Sequence, residues 1–236
     1  MNSSQPTEQF VFTRSVLWTF GLLVFIWFVF GLEEVFSVEL SGYGILPRKI
    51  KGLTGIFFSP FIHADFQHII GNSFYLAILN LGLFYFYPRQ ALKLNLVFVL
   101  GTGLLVWLVA RQASHIGYSG IIYCASFFLL FQGFRSKNRA QLAVAFVVLF
   151  LSGSSLFTGL FYTTEGVSWE SHASGALVGL LSGIYYRDIP QFRSQETPFI
   201  IEDEEGWEPE KEVKEPPSPM KIEIIIEDND PRSGNN

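Results

Sequence analysis

Six stretches of this chain, each at least 16 residues long, contain no Asp, Glu, Lys or Arg: 15–32, 66–88, 94–110, 112–134, 140–164 and 171–186. A helix that crosses the hydrocarbon core of a bilayer needs about 20 mostly apolar residues, with about 17–25 tolerated. The last stretch is short at 16 residues, and Arg187 at its end can snorkel to the interface. Lipid offers no partner for backbone N–H and C=O groups, so only helices and closed barrels span it. The stretches lack the alternation of barrel strands. The expected fold is an all-α integral membrane protein with six transmembrane helices.

Composition agrees once the chain is divided. Residues 1–193 hold 8 acidic and 12 basic side chains, whereas residues 194–236 hold 13 acidic and 4 basic ones. The acidic balance of the whole therefore describes its end. No basic run resembles a nucleic-acid footprint, and no nucleic-acid partner is expected. The single cysteine, Cys124, excludes an internal disulfide and a cysteine cluster. Within an apolar run it reads as a small hydrophobe. Three segments follow: a cytoplasmic N-terminal segment over 1–14, a six-helix membrane domain over 15–190, and an acidic cytoplasmic tail over 191–236. The tail, "EDEEGWEPEKEVKEPPSP" and onward, is too poor in aliphatic residues to order itself. Its short run Ile222–Ile226 is β-prone, and a disordered end is expected.

The first stretch ends in "FGLEEVF" without an evident cleavage site, so it reads as a retained helix. With the N-terminus inside, eight basic residues flank the helices on the cytoplasmic side (Arg14, Arg89, Lys93, Arg135, Lys137, Arg139, Arg187 and Arg193). Four lie outside: Arg48, Lys49, Lys51 and Arg111. The bias favours a multi-pass, N-in protein, and the compact body points to a bacterial inner membrane. In the first outer loop Phe57, Phe58, Phe61 and Ile62 are expected to lie in the interface, the alternative being an ordinary extracellular loop.

Polar groups at depth are costly unless paired or functional. His68 and Asn72, four residues apart in "HADFQHIIGNSFYL", share one helix face, and His63 stands just upstream. His172 opens "SHASGALVGLLSG", where Gly175, Gly179 and Gly183 recur every fourth residue and let a neighbouring backbone approach. Ser119 stands in "GYSG" at the head of a helical run, where free N–H groups and the helix dipole favour negative charge. Each has a plainer alternative: a hydrogen-bonded His68–Asn72 pair, or a packing serine. His115 reads as an interfacial loop residue. Together they supply a hydroxyl, a base and donors for an oxyanion. Metal ligation fits poorly, since the histidines are few and no carboxylate falls within a run. No metal or cofactor is expected. Gly117-Tyr118-Ser119-Gly120-Ile121 also lacks the second glycine of the G-x-S-x-G elbow.

"HADFQHIIGN", "GYSG" and "SHASGALVG", in that order on the second, fourth and sixth helices, resemble the rhomboid intramembrane serine proteases over residues 12–190. The resemblance implies Ser119 as nucleophile and His172 as base, with no acidic third member. It implies an oxyanion hole from the Ser119 N–H, His68 and Asn72, and Tyr123 stacked on the His172 ring. Gly117 and Gly120 would clear space for substrate and a neighbouring helix, and His63 would organise the first loop. The first loop lacks the family's Trp-Arg pair, and Ser171 stands where alanine is frequent, a change expected to be harmless. The expected activity is cleavage of transmembrane protein substrates within the bilayer through an acyl-enzyme. The alternatives are a non-catalytic rhomboid-like protein that binds membrane helices, and a transporter. The first would typically lack the serine or the histidine. The second would show internal repeats or intramembrane charges, and neither is found.

Overall fold

A computed structural model describes residues 7–136, 138–161 and 168–192. The tail, with Ile222–Ile226, lies outside the described residues from position 193 onward. The helices are α1 (Glu8–Phe36), α2 (Gly55–Phe58), α3 (Phe66–Phe86), α4 (Ala91–Val109), α5 (Ser119–Arg135), α6 (Arg139–Phe161) and α7 (Trp169–Tyr185). Each charge-free stretch of the sequence coincides with one long helix. Three of these, α1, α3 and α4, are long and apolar enough to cross a membrane; α5 and the Arg139–Ser154 part of α6 are shorter apolar helices. Phe150 is 89% exposed and Phe20 62%. Water would penalise such a surface, whereas lipid tails do not.

The helix ends are set by local chemistry. Asp65 stands in extended backbone and accepts the His68 N–H at 2.8 Å, starting α3. Ser168 does the same for α7, accepting the Ser171 N–H at 3.2 Å. α1 begins at Glu8, before its charge-free stretch, because Thr7 accepts the Phe10 N–H. In contrast, α5 begins only at Ser119. Residues 112–118 are apolar enough for a helix but form a loop, with Gly117 at φ +97°.

The long helices alternate in direction. At one end, Tyr85 Oη at the close of α3 donates to Glu8 at the start of α1 (2.7 Å). At the same end, Gln141 Nε2 of α6 donates to Tyr87 Oη (3.0 Å) and Gln132 Nε2 of α5 to the Tyr186 carbonyl (2.9 Å). The opposite end gathers the starts of α3, α5 and α7 with the first loop. Between the two ends, α5 is wrapped on most sides, with Phe128 against Tyr87 and Phe98, ring centroids 5.4 Å apart in each pair.

The α5–α7 contact is backbone on backbone. A Cβ at Gly175 would strike the Gly120 carbonyl oxygen, and one at Gly179 would strike the carbonyl oxygen of Cys124. The expected glycine packing is therefore present, and its partner is α5.

The first loop is a string of short turns: Ser41–Tyr43, Ile50–Leu53, α2 and Ser59–Phe61. It is held from outside itself. Trp107 Nε1 donates to the Lys49 carbonyl (2.9 Å), and Arg48, at φ +57°, donates its N–H to the Trp107 carbonyl (2.9 Å). The loop, which has no tryptophan of its own, is thus tied to a tryptophan of α4. The interfacial expectation is corrected in part. Phe57 and Phe58 are exposed, but Ile62 is buried and Phe61 meets the Phe25 ring edge-on at 5.0 Å. Apolar residues beside a helix bundle find protein before lipid.

His63 is buried at the end of this loop, its ring 5.0 Å from that of His68. Burial, and then the neighbouring His68, push its pKa down to about 4. A depressed value favours the neutral ring in the folded protein. The contribution is complete above the unfolded value of about 6.5 and is lost as pH falls toward 4. The thermal midpoint of the detergent-solubilised protein should fall over that window, and His63→Phe should make the fall shallower. A second prediction concerns the glycines. Gly179→Ala should lower stability by about 1–3 kcal/mol, because backbone has to move. Gly21→Ala, with nothing within 4 Å of its Cβ, should leave the midpoint unchanged or raise it slightly.

Candidate active site

The loop ahead of α5 delivers Ser119 to the head of that helix, half-buried. Two residues earlier, Gly117 takes the left-handed backbone that disfavours any side chain. Its N–H donates to the Ser59 carbonyl of the first loop at 2.8 Å. A Cβ here would lie 2.6 Å from His68 Nε2 and 3.5 Å from Asn72 Nδ2. Bare backbone is what allows these two α3 side chains to flank the serine loop. The Asn72 amide nitrogen is buried without a hydrogen-bond partner, which leaves a donor free at a site where such donors are costly to strand.

His68, Asn72, Ser119, Tyr123, Gly159 and His172 share the wall of one cavity of about 740 Å³. The His172 ring stacks on Tyr123 with centroids 4.2 Å apart and planes 7° from parallel. Its Nδ1 lies 3.0 Å from the Gly159 carbonyl oxygen. A carbonyl only accepts, so Nδ1 carries the proton, and in the neutral ring Nε2 is the free base. Gly159 belongs to α6. Its Cα also faces the Tyr123 hydroxyl, which a Cβ would strike. Sequence reasoning missed Gly159, since its contribution is a main-chain oxygen and any residue carries one. Gly120 sits where a Cβ would come within 3.2 Å of the Ser171 carbonyl oxygen, so it admits α7. His63 lies behind His68, outside the cavity wall. Among the described residues no group of three or more His, Cys, Asp or Glu is placed to hold a metal ion.

One expectation is corrected. His115 is only 3% exposed and is no interfacial loop residue. Its Nδ1 lies 2.6 Å from Ser168 Oγ, and its Nε2 lies 3.0 Å from the Arg111 carbonyl oxygen. Fifty-three residues separate His115 from Ser168, so helical spacing could not reveal the pair. Ser171 is also engaged, its hydroxyl 2.8 Å from that of Ser168. The exchange for alanine there adds a bond.

Comparison with known proteins bears on the whole body. The rhomboid domain profile matches residues 51–189. An uncharacterized protein of Mycobacterium tuberculosis is 30% identical over 209 residues, covering 80% of this chain and 84% of the relative. An uncharacterized protein of Mycobacterium bovis matches to the same extent. One from Mycobacterium leprae is 29% identical over 177 residues, 70% of this chain and 68% of its own. With its apolar helices and a rhomboid domain that spans the cavity and everything lining it, the chain is an integral membrane protein and belongs to the rhomboid family.

Proposed function

We propose that the protein is an intramembrane serine endopeptidase acting through Ser119 and His172, with transmembrane proteins as substrates. The observation that carries this is the state of His172: Nδ1 held by the Gly159 carbonyl, face held by Tyr123, and Nε2 left as a free base in a cavity that Ser119 shares. The Ser119–His172 hydrogen bond that the chemistry needs is part of the proposal; such bonds are often long before substrate binds.

Ser119 Oγ attacks the scissile carbonyl carbon as its proton passes to His172 Nε2. The carbonyl π bond opens, and the oxygen carries the negative charge. The Ser119 N–H, at the head of α5, stabilises that charge together with Asn72 Nδ2 and His68. Collapse expels the amine, which takes the proton from His172 and leaves an acyl-enzyme. Water then attacks the acyl carbon as His172 accepts its proton; the bond from that carbon to Ser119 Oγ breaks, His172 returns the proton to Oγ, and the product leaves with a new carboxyl end. The part an aspartate plays in a triad falls to the Gly159 carbonyl. It fixes the tautomer, and the carbonyl end of α6 sets partial negative charge against the ring as it becomes positive. A substrate helix has to unwind first, because helical carbonyls are hydrogen-bonded and shielded. Glycine, proline or other weak helix formers near the cut would ease this.

In the bilayer all six long helices cross, with the N-terminus and tail cytoplasmic and the cavity toward the outer face. The charge bias of the loops supports that orientation. The mycobacterial relatives fit a bacterial plasma membrane.

The test is labelling of purified full-length protein with a fluorescent alkyl fluorophosphonate. Parent should label, while Ser119→Ala and His172→Ala should not. A folded parent that stays unlabelled and leaves a transmembrane test substrate intact would overturn the assignment in favour of a helix-binding, non-catalytic protein. Asn72→Ala should slow cleavage by about 10²–10³, or about 2.7–4 kcal/mol. An undiminished rate in that variant would remove Asn72 from the oxyanion hole.

A further inference from the structure

The loop that carries the nucleophile and the helix that carries the base are joined by a side-chain bond between His115 and Ser168, both of which also line the cavity. His115 lies four residues before Ser119, and Ser168 four residues before His172. His115 Nδ1 and Ser168 Oγ are 2.6 Å apart. The direction of every proton in this link follows from what each partner can do. The Arg111 carbonyl only accepts, so His115 Nε2 donates to it (3.0 Å) and Nδ1 of the neutral ring accepts. Ser168 donates its hydroxyl proton to His115, because the other acceptor it faces, Glu170 Oε2, lies farther off at 3.5 Å. Its lone pairs take the Ser171 N–H (3.2 Å) and the Ser171 hydroxyl (2.8 Å).

Both ends of the link are anchored. The backbone of His115 exchanges two hydrogen bonds with Ile45 of the first loop, 2.9 and 3.0 Å. The Ser168 carbonyl accepts the backbone N–H of His172 itself at 3.3 Å. Arg111 and Glu170 form a parallel ion pair at 3.5 Å across the same seam. The His115–Ser168 bond thus ties the first turn of α7, which carries His172, to the loop ahead of Ser119.

We propose that His115 is a positioning residue: through Ser168 it sets the first turn of α7, and hence His172 Nε2, at working distance from Ser119. This rests on the protease assignment above. Near-attack geometry is steep, and a displacement of about 1 Å costs about 10²-fold in rate.

The experiment compares fluorophosphonate labelling rates in the full-length protein for parent, His115→Phe, His115→Asn, Ser168→Ala and the double variant His115→Phe/Ser168→Ala. Amide hydrogen exchange over the start of α7 is measured on the same samples. Phenylalanine keeps the ring volume without the acceptor; asparagine offers an amide oxygen to Ser168. His115→Phe and Ser168→Ala should each slow labelling about tenfold or more and speed exchange at Ser171 and His172. The double variant should be no slower than the worse single one, and His115→Asn should recover much of the rate. Should His115→Phe fail to fold, Ser168→Ala against His115→Asn still carries the comparison. Parent-like rates in the single variants, additive losses, or asparagine no better than phenylalanine would each overturn the proposal while parent labels. A folded parent that does not label overturns the protease assignment, and this one with it.

Discussion

Among the described residues, the closest helix contact is the backbone seam between α5 and α7, and the candidate site depends on it. Ser119 opens α5 and His172 lies in the first turn of α7. Gly175 and Gly179 press onto the carbonyls of Gly120 and Cys124 with no side chain between them. Lipid tails are as apolar as leucine, so burying hydrocarbon gives membrane helices little reason to associate. Close van der Waals approach has to supply it. Small residues are therefore what hold the two halves of the proposed dyad in register, and a cavity next to such a seam can be precise without being rigid throughout.

Around this seam the polar groups are arranged as a sequence of anchors. The first loop reaches the segment that carries Ser119 through the Gly117–Ser59 bond and the His115–Ile45 exchange. α3 is started by Asp65, which brings His68 and Asn72 up beside Gly117. α6 contributes a main-chain carbonyl at its final turn and nothing charged. In a low-dielectric bundle an aspartate at that position would need its own partners. The Gly159 carbonyl is already present in α6 and brings no net charge that would need a partner.

The legibility of these parts follows their physical range. The long helices were readable because exclusion of charge from lipid acts on every residue of a stretch. The spacing of His68 and Asn72 was readable because helical periodicity is local, and so was the start of α5 at Ser119, which the glycines announce. His115 was misread and Gly159 missed for a common reason. A hydrogen bond across fifty-three residues leaves no period in the chain, and a carbonyl has no residue type. Ser171, which looked interchangeable with alanine, acquires its role only when Ser168 is placed within reach.

Sequence alone determined that this chain enters a membrane, where its long helices run, and which serine, histidines and asparagine stand at their heads. Those properties come from hydrophobicity and local spacing, which every residue carries with it. Tertiary structure decided which nitrogen of His172 is free, which carbonyl engages the other, and that the first loop is pinned by Trp107 and not by a tryptophan of its own. These depend on the meeting of groups far apart in the chain, through backbone atoms and short polar side chains whose partners only packing can choose.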